Sequence, residues 1–123
     1  MAYAVTWLAS ASRTTTQTSA DIDTASARSL TVTLDVTVAG TGSITLTINR
    51  KDPASGKYIL ILAGAAVTTA VTNTYKVTPG EIAAVANVSA VDVMPNFIQF
   101  VVTANNANAM TYSVDYELED VAH

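Results

Sequence analysis

An all-β fold is predicted for this chain of 123 residues: an antiparallel β-sandwich, jelly-roll-like, with about eight strands and at most one short helix. Apolar and polar residues alternate with a period of two along several short stretches, which is the pattern of half-buried strands. Turn-forming residues separate these stretches at intervals of about 8–15 residues, a spacing typical of sandwiches and small barrels. The chain shows no linker and no shift in composition, so we expect a single domain over residues 1–123.

The clearest strand is SLTVTLDVTV, residues 29–38. Its even-numbered positions are apolar and its odd-numbered positions are polar, so one face is expected to be buried and the other to meet solvent. Residues 39–42 contain two Gly and end the run, and the alternation resumes in SITLTIN, residues 43–49. Two such runs joined by a short Gly-containing link predict a β-hairpin.

Six further strands complete the predicted sandwich. They are residues 2–8, 13–22, 57–62, 72–77, 96–104 and 110–118. Residues 1–20 are expected to form an extended arm or an edge strand. Only residues 80–95 carry apolar residues at helical spacing. Because that segment is rich in Val and closes on Pro95, we expect a short helix or an irregular crossing there.

The stretch RKDPASGKYI, residues 50–59, predicts a hairpin turn. Pro53 presets the backbone angle φ of the first loop position, and Gly56 accepts a left-handed conformation at the last. A loop of residues 53–56 makes Asp52 and Lys57 the closing pair of the two strands. Counting back along both strands predicts three cross-strand pairs: Arg50 with Ile59, Asn49 with Leu60, and Ile48 with Ile61.

This register decides which side chains face outward. The apolar side chains of residues 44–48 line the inner face, so Ile59 and Ile61 are expected to join them, whereas Leu60 and Leu62 point outward. Outward leucines are either covered by another segment of the same chain or buried at a subunit contact, because exposed apolar patches often mark interaction surfaces. The candidate interface residues are Leu60, Leu62, Phe97, Arg50, Lys51, Lys57 and Trp7.

The inventory of reactive side chains predicts no catalytic or cofactor site. The chain has no Cys and a single His at its last position, so we expect no thiolate site and no Ser-His or Cys-His pair. Gly56-Lys57 is followed by Tyr58 and by a predicted strand, whereas a phosphate-binding P-loop needs Ser or Thr and a helix. Asp21 and Asp23 lack the Gly-spaced loop of a Ca²⁺ site. We therefore expect no metal, no cofactor and no enzymatic activity.

Charge and hydropathy limit the classes of partner. The formal net charge of −4 disfavours binding to nucleic acid or to an anionic membrane, since both require a basic surface. No run of the sequence approaches the roughly 20 apolar residues that a membrane-spanning helix needs. We therefore expect neither nucleic acid nor membrane among the partners.

Five stretches of the chain form a recognisable ordered set. They are TTTQTSADIDTASARSLTVTLDVT, KDPASGKYIL, YKVTPG, VDVMPNFIQFVVT and MTYSVDYELE, within roughly residues 12–118. In this order they resemble a family of small, cysteine-free structural proteins encoded in the morphogenesis regions of tailed bacteriophages and prophages. The shared features are turns and strands rather than a chemical signature.

The resemblance implies a non-enzymatic virion protein, and above all a capsid decoration (cement) protein that stabilises the head. Its partners would be the major capsid protein or other virion proteins, and it would form a homo-oligomer, a dimer or a trimer. The implied location is the capsid surface of the virion, after synthesis in the cytoplasm of the bacterial host. Two other roles remain open: an accessory protein of the tail or neck, and a carbohydrate-binding module for host recognition. The second would need exposed aromatic side chains on one face or a carboxylate-lined Ca²⁺ site.

Overall fold

A computed structural model describes residues 2–78, 87–91 and 95–120 of the chain. These residues form strands, turns and loops but no helix, so the predicted all-β class is confirmed. The strands are β1 (Ala2–Arg13), β2 (Gln17–Thr18), β3 (Ile22–Asp23), β4 (Ala27–Val38), β5 (Ile44–Lys51), β6 (Tyr58–Ala63), β7 (Thr72–Thr78), β8 (Ser89–Val91), β9 (Phe97–Ala104) and β10 (Met110–Asp120).

These strands form two sheets that pack face to face. The first sheet has the order β1-β10-β4-β7-β8, and the second has the order β2-β9-β5-β6, with β3 also paired to β9. The described pairs are antiparallel except for the short parallel pair of β7 with β8. The pairing is nested along the chain: β1 with β10, β2 and β3 with β9, β4 with β7, and β5 with β6. This nesting is the winding of a jelly roll, so the predicted jelly-roll-like sandwich is confirmed.

One hydrophobic core lies between the sheets, and the alternation seen in the sequence builds it. On the first sheet, β4 contributes side chains at most 2% exposed, namely Leu30, Val32, Leu34 and Val36. On the second sheet, β5 and β9 contribute side chains at most 1% exposed, namely Leu46, Ile48, Ile98, Phe100 and Val102. Val38 continues the alternation in sequence but is 58% exposed, because it is the last residue of β4.

β1 forms one edge of the first sheet, and its pairing with β10 shifts register twice between Thr6 and Ala11. Arg13 satisfies backbone carbonyls in this irregular stretch: its guanidinium donates to Ala9 O at 2.5 Å and to Tyr112 O at 2.6 Å. The guanidinium carbon also lies 4.9 Å from the centroid of the Tyr112 ring. Such irregularities twist an edge strand and hinder its pairing with another chain.

The edge of the second sheet next to β9 is interrupted. Residues 13–22, predicted as one strand, contain β2 and lead into β3, with the buried Ser19 between them. The Ser19 N–H donates to Phe100 O, and the Ser19 Oγ accepts from the Phe100 N–H, each at 2.9 Å. The side chain thus replaces a backbone partner in the ladder. Residues from the segment 1–20 therefore supply edge strands to both sheets.

The predicted short helix or irregular crossing over residues 80–95 falls mostly outside the described residues. In the part of that segment that the structure describes, residues 89–91 form β8 beside β7. A helix is therefore wrong for those residues, because they complete an edge of the first sheet instead.

Candidate functional site

The turn between β5 and β6 has the predicted loop. The Asp52 N–H donates to Lys57 O at 2.7 Å, and the Gly56 N–H donates to Asp52 O at 2.8 Å. Gly56 has a φ of 74°, a left-handed conformation in which most side chains would be strained. The Asp52 carboxylate accepts hydrogen bonds from the Ser55 side chain and backbone, and these lower the pKa of Asp52. The turn is therefore closed by its own hydrogen bonds.

The pairing of β5 with β6 follows the prediction for two pairs and then departs from it. The confirmed pairs are Arg50 with Ile59 and Asn49 with Leu60. Ile48 opposes Leu62 instead of Ile61, because β6 carries one extra residue at this point, a β-bulge. Leu62 consequently turns into the core and is only 7% exposed. Its predicted outward position is wrong.

The residues of β6 before the bulge form an apolar surface. Leu60 is 57% exposed, in agreement with its predicted outward position, and Tyr58 is 42% exposed. Ile59 was expected on the inner face but is 39% exposed, because it lies near the hairpin end of an edge strand. Ile61, also expected inside, is partly buried and packs against the core. We call the side chains of Tyr58, Ile59 and Leu60 the β6 patch.

Asp21 ties the segment between β2 and β3 to the hairpin. Its carboxylate accepts from Lys51 Nζ at 2.7 Å and from the Tyr58 hydroxyl at 2.5 Å. The hydrogen bond from Lys51, and after it the one from Tyr58, lowers the pKa of Asp21. The same carboxylate raises the pKa of Lys51 and of Tyr58. Because the Lys51 and Asp21 side chains remain 36% and 29% exposed, this tie positions the two segments more than it stabilises the fold.

The other carboxylates are used locally or face solvent. Asp23 Oδ1 accepts from the Ala25 N–H at 3.0 Å and so closes a short turn. Asp115 and Glu117 of β10 are exposed on the outer face of the first sheet. Among the described residues, no three His, Cys, Asp or Glu side chains are grouped so that they could hold a metal ion.

The remaining predicted interface residues differ in their exposure to solvent. Phe97 is the first residue of β9 and is 42% exposed, and Lys57 is exposed beside the turn. Trp7 is partly buried, and its ring centroid lies 5.7 Å from that of the buried Phe100. Part of the Trp7 ring therefore packs inside the fold, and its role at an interface stays a prediction.

A cleft of about 520 Å³ opens between the hairpin and the start of β9. It brings together two of the predicted interface cations, Arg50 and Lys51, with the exposed Phe97. The lining residues are Asp21, Arg50, Lys51, Pro53, Pro95, Asn96 and Phe97. The predicted surface residues therefore divide into two neighbouring features, the β6 patch and this cleft.

Two features of this surface have no clear signal in the sequence. Asp21 lies 30 residues before Lys51, and only the tertiary pairing of β9 with β3 and β5 brings the two together. The exposure of Ile59 depends on β6 being an edge strand, which strand-by-strand periodicity does not specify.

A comparison with models of protein families finds no match, and a comparison with curated proteins finds no similar sequence. In the part of the chain that the structure describes, no helix is long and apolar enough to cross a membrane. A functional proposal therefore depends on the geometry of the surface and on the resemblance of the sequence motifs.

Proposed function

We propose that this protein is a non-enzymatic structural component of a tailed-phage virion, a capsid decoration protein that stabilises the head by binding capsid subunits. The observation that carries the proposal is the β6 patch on an edge strand, where Tyr58 and Leu60 lie exposed on one face and Ile59 lies exposed on the other. An edge strand with exposed apolar residues favours pairing or packing with another chain. Burial of the patch, in a homo-oligomer or against a capsid subunit, is the proposed mechanism of adhesion.

The size of the patch favours a repeated contact over a tight one-to-one complex. Taking roughly 200 Å² for a side chain of the size of Tyr or Leu, the face of β6 that carries Tyr58 and Leu60 exposes roughly 200 Å². At about 25 cal/mol per Å², burial of that area contributes about 5 kcal/mol, against about 4–15 kcal/mol lost on association. A single contact is therefore weak. Repetition of the contact on a symmetric shell raises the effective concentration of each binding surface and so strengthens the overall attachment of the protein.

Two further lines of support are indirect. Jelly rolls occur in viral capsid domains and in lectins, although a fold by itself does not assign a function. The motifs of the sequence resemble those of small virion structural proteins. An accessory role at the tail or neck would use the same adhesive surface, and it differs from decoration in where the protein is located on the particle.

A pair of matched variants tests the adhesion mechanism. Leu60→Asp places a charge in the β6 patch, and Val38→Asp places the same charge on the first sheet at almost the same exposure, 58% against 57%. We expect Leu60→Asp to reduce oligomer mass in light scattering and binding to capsid shells that lack the protein, whereas Val38→Asp retains both. If the two variants behave alike, the β6 patch is not the contact surface.

A further inference from the structure

The strand edge at β6 is the least protected edge in the part of the chain that the structure describes. β1 shifts register twice, β8 has three residues, and the outer side of β9 is covered by β2 and β3. β6 reads YILILA and so lacks the charged residues and Pro with which proteins commonly block an edge. Its bulge comes after Leu60, so residues 58–60 remain a regular strand. An open edge of this composition is expected to be occupied by another strand.

The β6 patch includes side chains on both faces of its strand. Ile59 opposes Arg50, which in turn opposes the buried Ile98, so Ile59 lies on the inner face of the second sheet. Tyr58 and Leu60 lie on the outer face, because side chains alternate along a strand. A partner that packs flat against the outer face would leave Ile59 in solvent. A strand added to the edge of the sheet passes beside both faces, so it is the geometry that covers the whole patch.

The backbone of the patch can bond to such a strand. Lys57 O accepts from the Asp52 N–H at 2.7 Å, so Lys57 turns its backbone groups toward β5. These groups alternate sides along an antiparallel strand, which turns those of Ile59 toward β5 and those of Tyr58 and Leu60 toward the open edge. No described strand pairs with β6 on that side. The edge therefore offers N–H donors and C=O acceptors at two positions.

The Tyr58 side chain leaves this edge clear. Its hydroxyl donates to Asp21, which lies on the other side of β6 from the open edge, and Lys51 Nζ lies 5.9 Å from its ring centroid. Because Lys51 belongs to β5, the ring is drawn toward β5 and away from the open edge.

A second copy of this chain fits the edge, because the patch is complementary to itself. In an antiparallel pair with a two-fold axis at Ile59, Tyr58 of each copy opposes Leu60 of the other. Each of these pairs exchanges two backbone hydrogen bonds, since both residues turn their groups to the edge. The two Lys57 residues stay about 14 Å apart along the strands, beyond the screening length of about 8 Å, so they add little repulsion.

The contact area is small and predicts a weak dimer. Ile59 adds roughly 80 Å² of exposed side chain to the roughly 200 Å² of the outer face. Two copies would therefore bury roughly 560 Å² of side-chain surface, below the roughly 1,200 Å² of a stable complex. Such a dimer forms at high local concentration, as on a symmetric shell.

We propose that β6 pairs with β6 of a second copy in this register, so that the second sheets of the two copies become one continuous sheet. The inference rests on the proposed adhesion through the β6 patch and assigns that adhesion to a second copy of the chain. A paired unit would present two copies to the shell at once, which doubles the contacts that each attached unit makes.

Disulfide trapping tests the register, since the chain has no Cys of its own. Ile59→Cys places its Cα atom about 4.5 Å from that of the second copy, at a position without hydrogen bonds, within the range of a disulfide. Leu60→Cys replaces a more exposed side chain, but its two Cα atoms would lie more than about 7 Å apart, outside that range. We expect Ile59→Cys to form the linked dimer about tenfold faster than Leu60→Cys at equal concentration.

Sedimentation at rising concentration tests the backbone pairing without a cross-link. The parent should approach twice the mass of one chain at millimolar concentration. Leu60→Pro removes the N–H that faces the open edge and no bond to β5, so it should stay monomeric, with circular dichroism as the check of its fold. Leu60→Ala keeps that N–H and should still dimerise.

The β6 pairing is overturned if Leu60→Cys links as fast as Ile59→Cys, if the parent stays monomeric, or if folded Leu60→Pro dimerises as Leu60→Ala does. In each of these cases, loss of capsid binding in Leu60→Asp would show that the patch contacts capsid subunits instead, and the proposed function would stand. Normal capsid binding by Leu60→Asp would contradict the proposed adhesion itself.

Discussion

The bulge in β6 makes a sharp prediction, because it gives opposite environments to two leucines that are two positions apart. Leu62 is 7% exposed and belongs to the core, while Leu60 is 57% exposed in the β6 patch. An unbroken register would place both leucines outward. Replacing each one by Ala therefore distinguishes the bulged strand from the regular one.

The expected cost follows from burial. Truncation of a buried Leu to Ala removes its transfer free energy and leaves a cavity, which together cost about 2–5 kcal/mol. A domain of this length has a total stability of about 6–18 kcal/mol. At an m value of about 2 kcal/mol per M, the loss of about 2–5 kcal/mol in Leu62→Ala should lower the urea midpoint by about 1–2.5 M. Leu60→Ala should change the free energy of unfolding by less than about 0.5 kcal/mol, since that side chain is mostly in solvent already.

Urea unfolding followed by fluorescence or circular dichroism measures both variants. Low protein concentration keeps association through the β6 patch from adding to the stability of the parent. Equal costs for the two substitutions, or a larger cost for Leu60→Ala, would refute the bulge and restore the simple alternating register.

Three further predictions concern the packing and the electrostatics. Gly42→Ala should cost about 1–3 kcal/mol in thermal unfolding, because a Cβ there would clash with Met110 Cγ. The added cost of Gly42→Ala should be much smaller in a Met110→Ala background, which lacks the clashing side chain, and an equal cost in both backgrounds would contradict the cause. Arg13→Met should cost about 1.5–3 kcal/mol in urea unfolding, since it removes charge-assisted hydrogen bonds to backbone carbonyls. Arg13→Lys should restore little of that stability, because Lys lacks the planar fork of donors, and full restoration by Lys would contradict this account. The lowered pKa of Asp21 means that the stabilisation from its ion pair with Lys51 is fully present above the unfolded pKa of 3.8 and is lost as the pH falls through the lower folded pKa. NMR titration of the Asp21 carboxyl carbon should give a pKa below 3.8, and an equal or higher pKa would rule out the ion pair in solution.

Much of the architecture is predictable because its signals are local. In β4 and β10, polar residues mark every second position, so the buried face is evident before any partner strand is known. The turn at residues 53–56 is also specified locally, by Pro53 at its start and Gly56 at its end. The nested jelly-roll pairing is harder to predict from the sequence, because the order of the strands in each sheet depends on contacts between residues far apart in the chain.

The candidate site is less predictable because β6 has no polar marker. Residues 58–63 read YILILA, so neither face is distinguished, and a one-residue bulge leaves no trace in the pattern. The cross-strand pairing counted from the turn was therefore right as far as the pair of Asn49 with Leu60, and the outward position predicted for Leu62 was wrong. The cleft needs three separate segments, around Asp21, Arg50 and Phe97, that only the assembled sheet brings together.

The proposed virion role predicts a phage that encodes this chain, and cryo-electron microscopy of the intact particles of such a phage is its most direct test. Decoration predicts copies of the jelly roll across the whole shell, at symmetric positions over the capsid subunits, with Tyr58, Ile59 and Leu60 buried at the contact. Density confined to a single ring on the tail axis would contradict decoration, and absence of the protein from the particle would contradict the virion role itself.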